Sequence, residues 1–258
     1  MPLIRGPLWD QSNLPKHVYA NVESLMLVYE TEPEAIPPLL PEPFKPGKSP
    51  TLTVLFCDNN GVDFMAGGGY RLAAISVAAR FDGRDGHMEG NYVLVMPESS
   101  TLPIITGREW LGMPKFYADV SLIRTMGNGH LRCEASMWGH LLFGIDIRPP
   151  LRAQNVLVRK AAGLQGTKTP SFGYKYIASL NGLPDADYPT IMWCDNIIDQ
   201  LWLGKSGEFY FGDPTEQDIG DFKPVLDALK SLPVRSVVQT MHSHGSMVLR
   251  NDRNGRIQ

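Results

Sequence analysis

Cysteine is scarce in this chain: Cys57, Cys133 and Cys194 are an odd set of three with no paired spacing. Small secreted scaffolds are held by even sets, so the thiols are read as free, buried and kept in a reducing cytoplasm. Basic charge is scarce as well. The 24 Lys and Arg against 27 Asp and Glu leave a net charge of −3, and no Lys/Arg run interleaves with aromatics. That excludes the basic face a nucleic acid partner requires. No stretch approaches the roughly 20 apolar residues of a membrane span. Met1 to Asn13, with Arg5 and Asp10 and no apolar core, is not read as a signal peptide. There is no repeat at 20–50 residue spacing, no low-complexity tract and no linker, so the 258 residues are expected to form one domain spanning 1–258.

Helical periodicity is also sparse. Glu32–Leu40 is short and broken by Pro37 and Pro38, and Pro103–Leu111 could form a short helix. Asp218–Leu232 carries the one good pattern, with Ile219, Phe222, Val225, Leu226 and Leu229 at i, i+3, i+4 spacing. Pro224 fits only a first turn, so the regular part should begin near Asp221. Strand patterns fill most of what remains: Val18–Tyr29, Thr51–Cys57, Tyr70–Phe81, Asn91–Met96, Phe116–Thr125, His130–Trp138, Leu141–Ile147, Phe172–Ser179, Thr190–Ile198, Gly207–Phe211 and Val234–Leu249. Asn128-Gly129 marks a hairpin. Many short strands with Gly/Pro punctuation imply a mainly β, antiparallel fold with a few short helices, closed or sandwiched.

Several chemistries lack their residues. No Gly-Lys-Ser/Thr follows Gly67-Gly68-Gly69, so that run is a loop and not a phosphate cradle. Asp82 to His87 lacks calcium-loop spacing and reads as a solvated turn. No Gly-x-Ser-x-Gly elbow is present for serine hydrolysis. His242-Ser243-His244 would set both imidazoles on one face of a strand, a possible metal edge. No third ligand is implied near it in sequence, so no metal or other cofactor is assigned.

One segment stands apart. In Gly107-Arg108-Glu109-Trp110-Leu111-Gly112-Met113-Pro114-Lys115-Phe116, a lysine sits among apolar neighbours directly after a proline. An isolated lysine is usually a solvated surface residue. In an apolar setting, however, an ammonium loses its hydration and gives up its proton more readily, which makes the free amine a nucleophile.

This segment resembles the catalytic stretch of the acetoacetate decarboxylase family, which reads Gly-Arg-Glu, four or five residues, then Pro-Lys. That family is itself the standing example of a lysine activated by its setting. Further likenesses are Arg5-Gly6-Pro7, Leu27-Val28-Tyr29 through Leu40-Pro41-Glu42-Pro43, and Leu232-Pro233-Val234. The resemblance implies that Lys115 is the Schiff-base lysine. It also implies an antiparallel β-cone or closed double-sheet barrel with a buried pocket, and a homo-oligomer, most simply a tetramer. There are departures: the family's second lysine is here Phe116, its pocket glutamate falls on Leu72, and its pocket arginine falls near Val22. Family members that depart in this way resemble aldolase-dehydratases acting on pyruvate-like 2-oxo acids.

The expected chemistry is therefore attack of Lys115 on the ketone of a 2-oxo acid, giving an iminium and then an enamine. The enamine can add to an aldehyde, and the same intermediate serves loss or addition of water. Glu98 and Glu109 are the candidate general acid/bases. Arg108 is the nearest cation by sequence for a substrate carboxylate, or else the partner of Glu109 in a structural ion pair. Met96 and Met113, with Leu72 and Phe116, are expected to line the pocket. The alternatives are a β-keto acid decarboxylase, a non-catalytic carrier using the same cavity, and a metal-dependent lyase centred on His242 and His244.

Overall fold

The computed structural model describes residues 16–154 and 169–258. The Arg5-Gly6-Pro7 likeness and the N-terminal segment lie outside the described residues. In chain order the first strands are β1 (His17–Glu30), β2 (Phe44–Pro46), β3 (Thr51–Val62), β4 (Tyr70–Gly83), β5 (Gly86–Glu98) and β6 (Lys115–Tyr117). There follow β7 (Asp119–Val120), β8 (Arg124–Thr125), β9 (Leu131–Met137), β10 (His140–Ile147) and β11 (Arg152–Ala153). The last are β12 (Ser171–Ile177), β13 (Ala186–Met192), β14 (Cys194–Gly204), β15 (Gly207–Phe211), β16 (Ser236–Leu249) and β17 (Gly255–Arg256). Among the described residues the α-helices are α1 (Thr101–Thr106), α2 (Glu216–Ile219) and α3 (Lys223–Lys230), and a π-helical turn, Gly107–Leu111, continues α1. None of these helices is long and apolar enough to cross a membrane.

Two sheets form. The larger runs β11-β14-β16-β1-β3-β4-β5-β12-β13-β17, with β2 on β4 and β6 on β5; the smaller runs β15-β10-β9-β7, with β8 on β9. The mainly β expectation holds, but closure does not. Among the described residues no ladder joins β11 to β17, and both edge strands are two residues long. The large sheet instead contributes to separate buried clusters. One face packs on the small sheet and α3, where Leu25, Leu27, Val54, Phe56 and Ile75 meet Ala135, Phe143, Ile145, Phe209 and Leu226. A second cluster holds Tyr19, Val62, Tyr70, Ala74, Val93, Met96, Leu111, Met113 and Leu249. This second cluster carries the site.

Two segments that read as single strands are split, for the same reason. Phe116–Thr125 crosses from one sheet to the other: β6 pairs with β5, whereas β7 and β8 pair with β9, so one ladder cannot continue through it. Likewise Thr190–Ile198 changes partner at Trp193, from β12 to β16. The Asp218–Leu232 helix is interrupted at Gly220, whose φ of +54° is outside helical space, and resumes at Lys223 with Pro224 in its first turn. Leu226 and Leu229 are buried as the pattern requires, while Val225 stays exposed. The Asp82 to His87 segment is, as read, the turn of the β4–β5 hairpin, with Gly83 opposite Gly86.

Candidate active site

Lys115 opens β6, a three-residue strand running parallel to the end of β5, with Lys115 opposite Met96 and Tyr117 opposite Glu98. Two backbone hydrogen bonds hold this entry: Met96 N–H donates to the Pro114 carbonyl at 3.1 Å, and Lys115 N–H to the Met113 carbonyl at 2.8 Å. Above it lies the π-helical turn, which ends at Gly112 in a left-handed conformation (φ +68°) that L side chains rarely adopt. The Arg108 guanidinium donates to the Lys115 carbonyl at 3.0 Å. The buried Thr190 hydroxyl donates to the Leu111 carbonyl at 2.6 Å. Turn and strand are thus tied together around the lysine.

The lysine side chain is buried and runs past Gly107. A Cβ built on Gly107 would fall 2.4 Å from Cε and 2.7 Å from Nζ of Lys115, so the glycine of the Gly-Arg-Glu motif is needed for its bare face. Nζ lies 2.7 Å from Glu98 Oε1, with side-chain exposures of 8% and 0%. Nζ also donates to the Pro103 carbonyl at 3.2 Å. Neither carboxylate oxygen of Glu98 has a hydrogen-bond partner among the described residues. Burial pushes the Glu98 carboxyl above the ordinary carboxylate value, and the neighbouring Lys115 charge opposes that shift.

The surroundings are apolar with a few neutral hydroxyls and a thiol. Leu72 stands opposite Glu98 across the β4–β5 ladder, and Val22, Leu72, Trp110, Met192, Cys194 and Met247 pack on the cluster of Tyr70, Met96 and Met113. The Tyr70 hydroxyl donates to that of Tyr19 at 3.4 Å. Burial raises the pKa of both phenols, and pushes the Cys194 thiol up to about 12 against the pull of Lys115. All three remain protonated donors at neutral pH.

Of the residues singled out in the sequence, Lys115, Glu98, Met96, Met113 and Leu72 come together here. Three do not join them. Phe116, next along β6, faces the other way and packs on the main core against Phe222, with ring centroids 4.5 Å apart. Glu109 is exposed on the π-helical turn. Arg108 is exposed too, and forms no ion pair with Glu109 among the described residues; it holds the backbone of Lys115 instead. The sequence reading missed Tyr19, Cys194, Met192 and Met247. They come from β1, β13, β14 and β16, far apart in the chain, and only strand pairing brings them together.

The mostly antiparallel fold and the Gly-Arg-Glu to Pro-Lys segment at its buried lysine place the chain among the acetoacetate decarboxylase-like proteins. The family model described as acetoacetate decarboxylase (ADC) matches residues 1–254, and the chain belongs to that family. A curated relative, acetoacetate decarboxylase 1 of Bradyrhizobium diazoefficiens, is 24% identical over 239 residues, covering 88% of this chain and 82% of the relative. The crystal structure of acetoacetate decarboxylase from Legionella pneumophila superposes with a TM-score of 0.77 at 19% identity, covering 98% of this chain and 92% of that one. The enduracididine biosynthesis enzyme MppR, in its complex with pyruvate, has a TM-score of 0.69 at 16% identity, covering 95% of this chain and 90% of that one.

Proposed function

We propose that this protein is a Schiff-base lyase acting on pyruvate or a related 2-oxo acid, with aldolase, dehydratase or hydratase chemistry through Lys115. The observation that carries this reading is the contact between Lys115 and Glu98 inside the apolar cluster. Nζ and Oε1 lie 2.7 Å apart in a site closed to water. Burial raises the affinity of Glu98 for a proton, which suits it to act as general acid and then as base beside the nucleophile.

The steps follow with protons accounted for. The amine of Lys115 adds to the ketone carbon of the substrate, and its N–H proton moves to the ketone oxygen, giving a carbinolamine. Glu98 donates its proton to the carbinolamine hydroxyl, which leaves as water; the C=N⁺ iminium forms and Glu98 is left ionised. The iminium withdraws electrons from the adjacent carbon, and Glu98 takes a proton from it to give the neutral enamine. The enamine carbon attacks an aldehyde, whose oxygen takes that proton from Glu98; water then hydrolyses the new iminium, which frees Lys115 as the amine and returns a proton to Glu98. Tyr19, held protonated by burial and accepting from Tyr70, can donate to the substrate carboxylate.

Decarboxylation would need the iminium and a β-carboxylate held beside it. Val22 and Leu72, which stand where the resemblance places the family's arginine and glutamate, give that carboxylate no polar partner. The MppR complex with pyruvate supports the 2-oxo acid reading. The curated relatives are named acetoacetate decarboxylases, which favours β-keto acid decarboxylation as the second reading. Borohydride reduction with pyruvate, followed by peptide mass spectrometry, should place a stable adduct on Lys115, and Lys115→Ala should lose it. Release of carbon dioxide from acetoacetate at a turnover in the usual range of roughly 1–1000 per second would decide for the second reading. Absence of any adduct would leave the carrier.

A further inference from the structure

His242 and His244 lie two apart on β16, so strand alternation sets both imidazoles on one face. β1 runs beside it with Glu23 opposite His244 and Leu25 opposite His242. Glu23 Oε1 is 2.8 Å from His242 Nε2 and 3.6 Å from His244 Nε2. One ligand atom from each of the three residues therefore falls within 4.8 Å of the others. On the other flank β14 places Trp202 opposite His242, and its indole stacks on that imidazole with centroids 5.1 Å apart and planes 23° apart. The indole also meets His244 edge-on at 5.8 Å. The rings are fixed in place and the group is partly open, with side-chain exposures of 15% for His242, 36% for His244 and 31% for Glu23.

This face is not that of the Lys115 site. Val22 packs on the Lys115 cluster, and Glu23, the next residue along the strand, points to the opposite side of the sheet. Nothing in the proposed lyase chemistry uses it.

We propose that Glu23, His242 and His244 form a binding site for a divalent transition metal of the zinc class, held by two imidazole nitrogens and one carboxylate oxygen. The donor set selects the ion. Imidazole suits zinc and its first-row neighbours, whereas calcium and magnesium take oxygen alone. The spacing of the carboxylate to each imidazole fits too. Zinc bonds of about 2.0–2.2 Å at tetrahedral angles set neighbouring donors roughly 3.3–3.5 Å apart. The carboxylate need only draw back by about half an ångström from His242, and its distance to His244 already suits. Three protein ligands leave one position to water, and an ion there would tie β1 to β16.

The test uses the full-length protein stripped with a chelator and dialysed. Isothermal titration with Zn²⁺ should show one ion per chain, and Co²⁺ should give the visible absorption band of a low-symmetry site. Zn²⁺ should raise the thermal midpoint. His244→Ala removes a partly exposed ligand, and Glu23→Gln keeps the shape and polarity of the carboxylate but loses its charge. Each should weaken Zn²⁺ at least tenfold while melting like the parent in metal-free buffer. A variant that melts early without metal is replaced by His244→Gln, read in the same way. Overturning results are the lack of stoichiometric Zn²⁺ binding by the parent chain, or equal affinity in the parent and the variants.

Discussion

Nζ of Lys115 stands 2.7 Å from Oε1 of Glu98, and neither side chain exposes a tenth of its surface. Breaking a buried pair by removing one partner leaves a charge without compensation and typically costs about 3–5 kcal/mol, whereas apolar replacement of both is often neutral or stabilising. Lys115→Met and Glu98→Leu should therefore each lower stability by an amount of that order, and the double variant should recover to the parent level or above. Urea denaturation of the four proteins checks this. A double variant as unstable as the two single losses added together would show that the two charges do not compensate one another.

The same pair sets a pH dependence. As the base that forms the enamine, Glu98 must be ionised, and burial raises its pKa above the ordinary 4.5. Exchange of the pyruvate methyl protons in deuterated water should fall on the acid side at a higher pH than an ordinary carboxylate would give. Glu98→Gln should remove that limb together with most of the exchange. The sign for stability follows from the same shift: the contribution of Glu98 is full below 4.5 and is lost as pH climbs through the raised value. Proton NMR of the exchange across pH gives the profile, and a limb at or below 4.5 would remove Glu98 as the base.

Arg108 separates two roles. Its guanidinium donates to the Lys115 carbonyl at 3.0 Å, which makes it a positioning residue for the strand that presents the amine. A clamp on the substrate carboxylate, as its place in the sequence suggests, would show itself in KM. Arg108→Lys should instead lower kcat severalfold with KM for pyruvate little changed, because a lysine cannot reproduce the planar fork. Steady-state kinetics decide, and a large rise in KM at constant kcat would restore the clamp.

The strands were legible because their residues alternate and their turns carry glycine or proline; Gly207–Phe211 matches its expected bounds residue for residue. Lys115 was legible because the lysine, the proline before it and the Gly-Arg-Glu lie within ten residues. Its partner Glu98 could be named only as a candidate, since nothing local distinguishes it from Glu109; the parallel pairing of β5 with β6 separates the two. Pairing across strands is likewise what joins Tyr19 to Tyr70 and Glu23 to His244. Phe116 was misplaced because adjacent residues of a strand face opposite ways, and a short apolar run does not say which face is the pocket. The strand pattern left closed and sandwiched arrangements both open, and the resemblance alone chose closure.

Gly107 offers the sharpest test of how the amine is placed. Its backbone is right-handed helical, at φ −68° and ψ −34°, so an alanine meets no conformational penalty. Exchanging glycine for alanine inside a helix is favourable by up to about 1 kcal/mol. The new Cβ would, however, lie 2.4 Å from Cε, 2.5 Å from Cδ and 2.7 Å from Nζ of Lys115, closer than real atoms approach. These atoms are the far end of a flexible side chain, so the lysine swings away while the fold stands. Gly112 is the contrast: its φ is +68°, and a Cβ there meets Lys175 backbone atoms at 2.8 Å that cannot move aside. Gly112→Ala should therefore destabilise the protein. Gly107→Ala should melt far closer to the parent temperature than Gly112→Ala does, yet form the borohydride-trapped pyruvate adduct more slowly by on the order of a hundredfold, since a displacement of about 1 Å at a reacting group can cost that much. Calorimetry and the trapping rate, measured on both variants, distinguish the two effects. A Gly107→Ala protein that traps pyruvate at the parent rate would show that the amine does not work from the position beside Glu98.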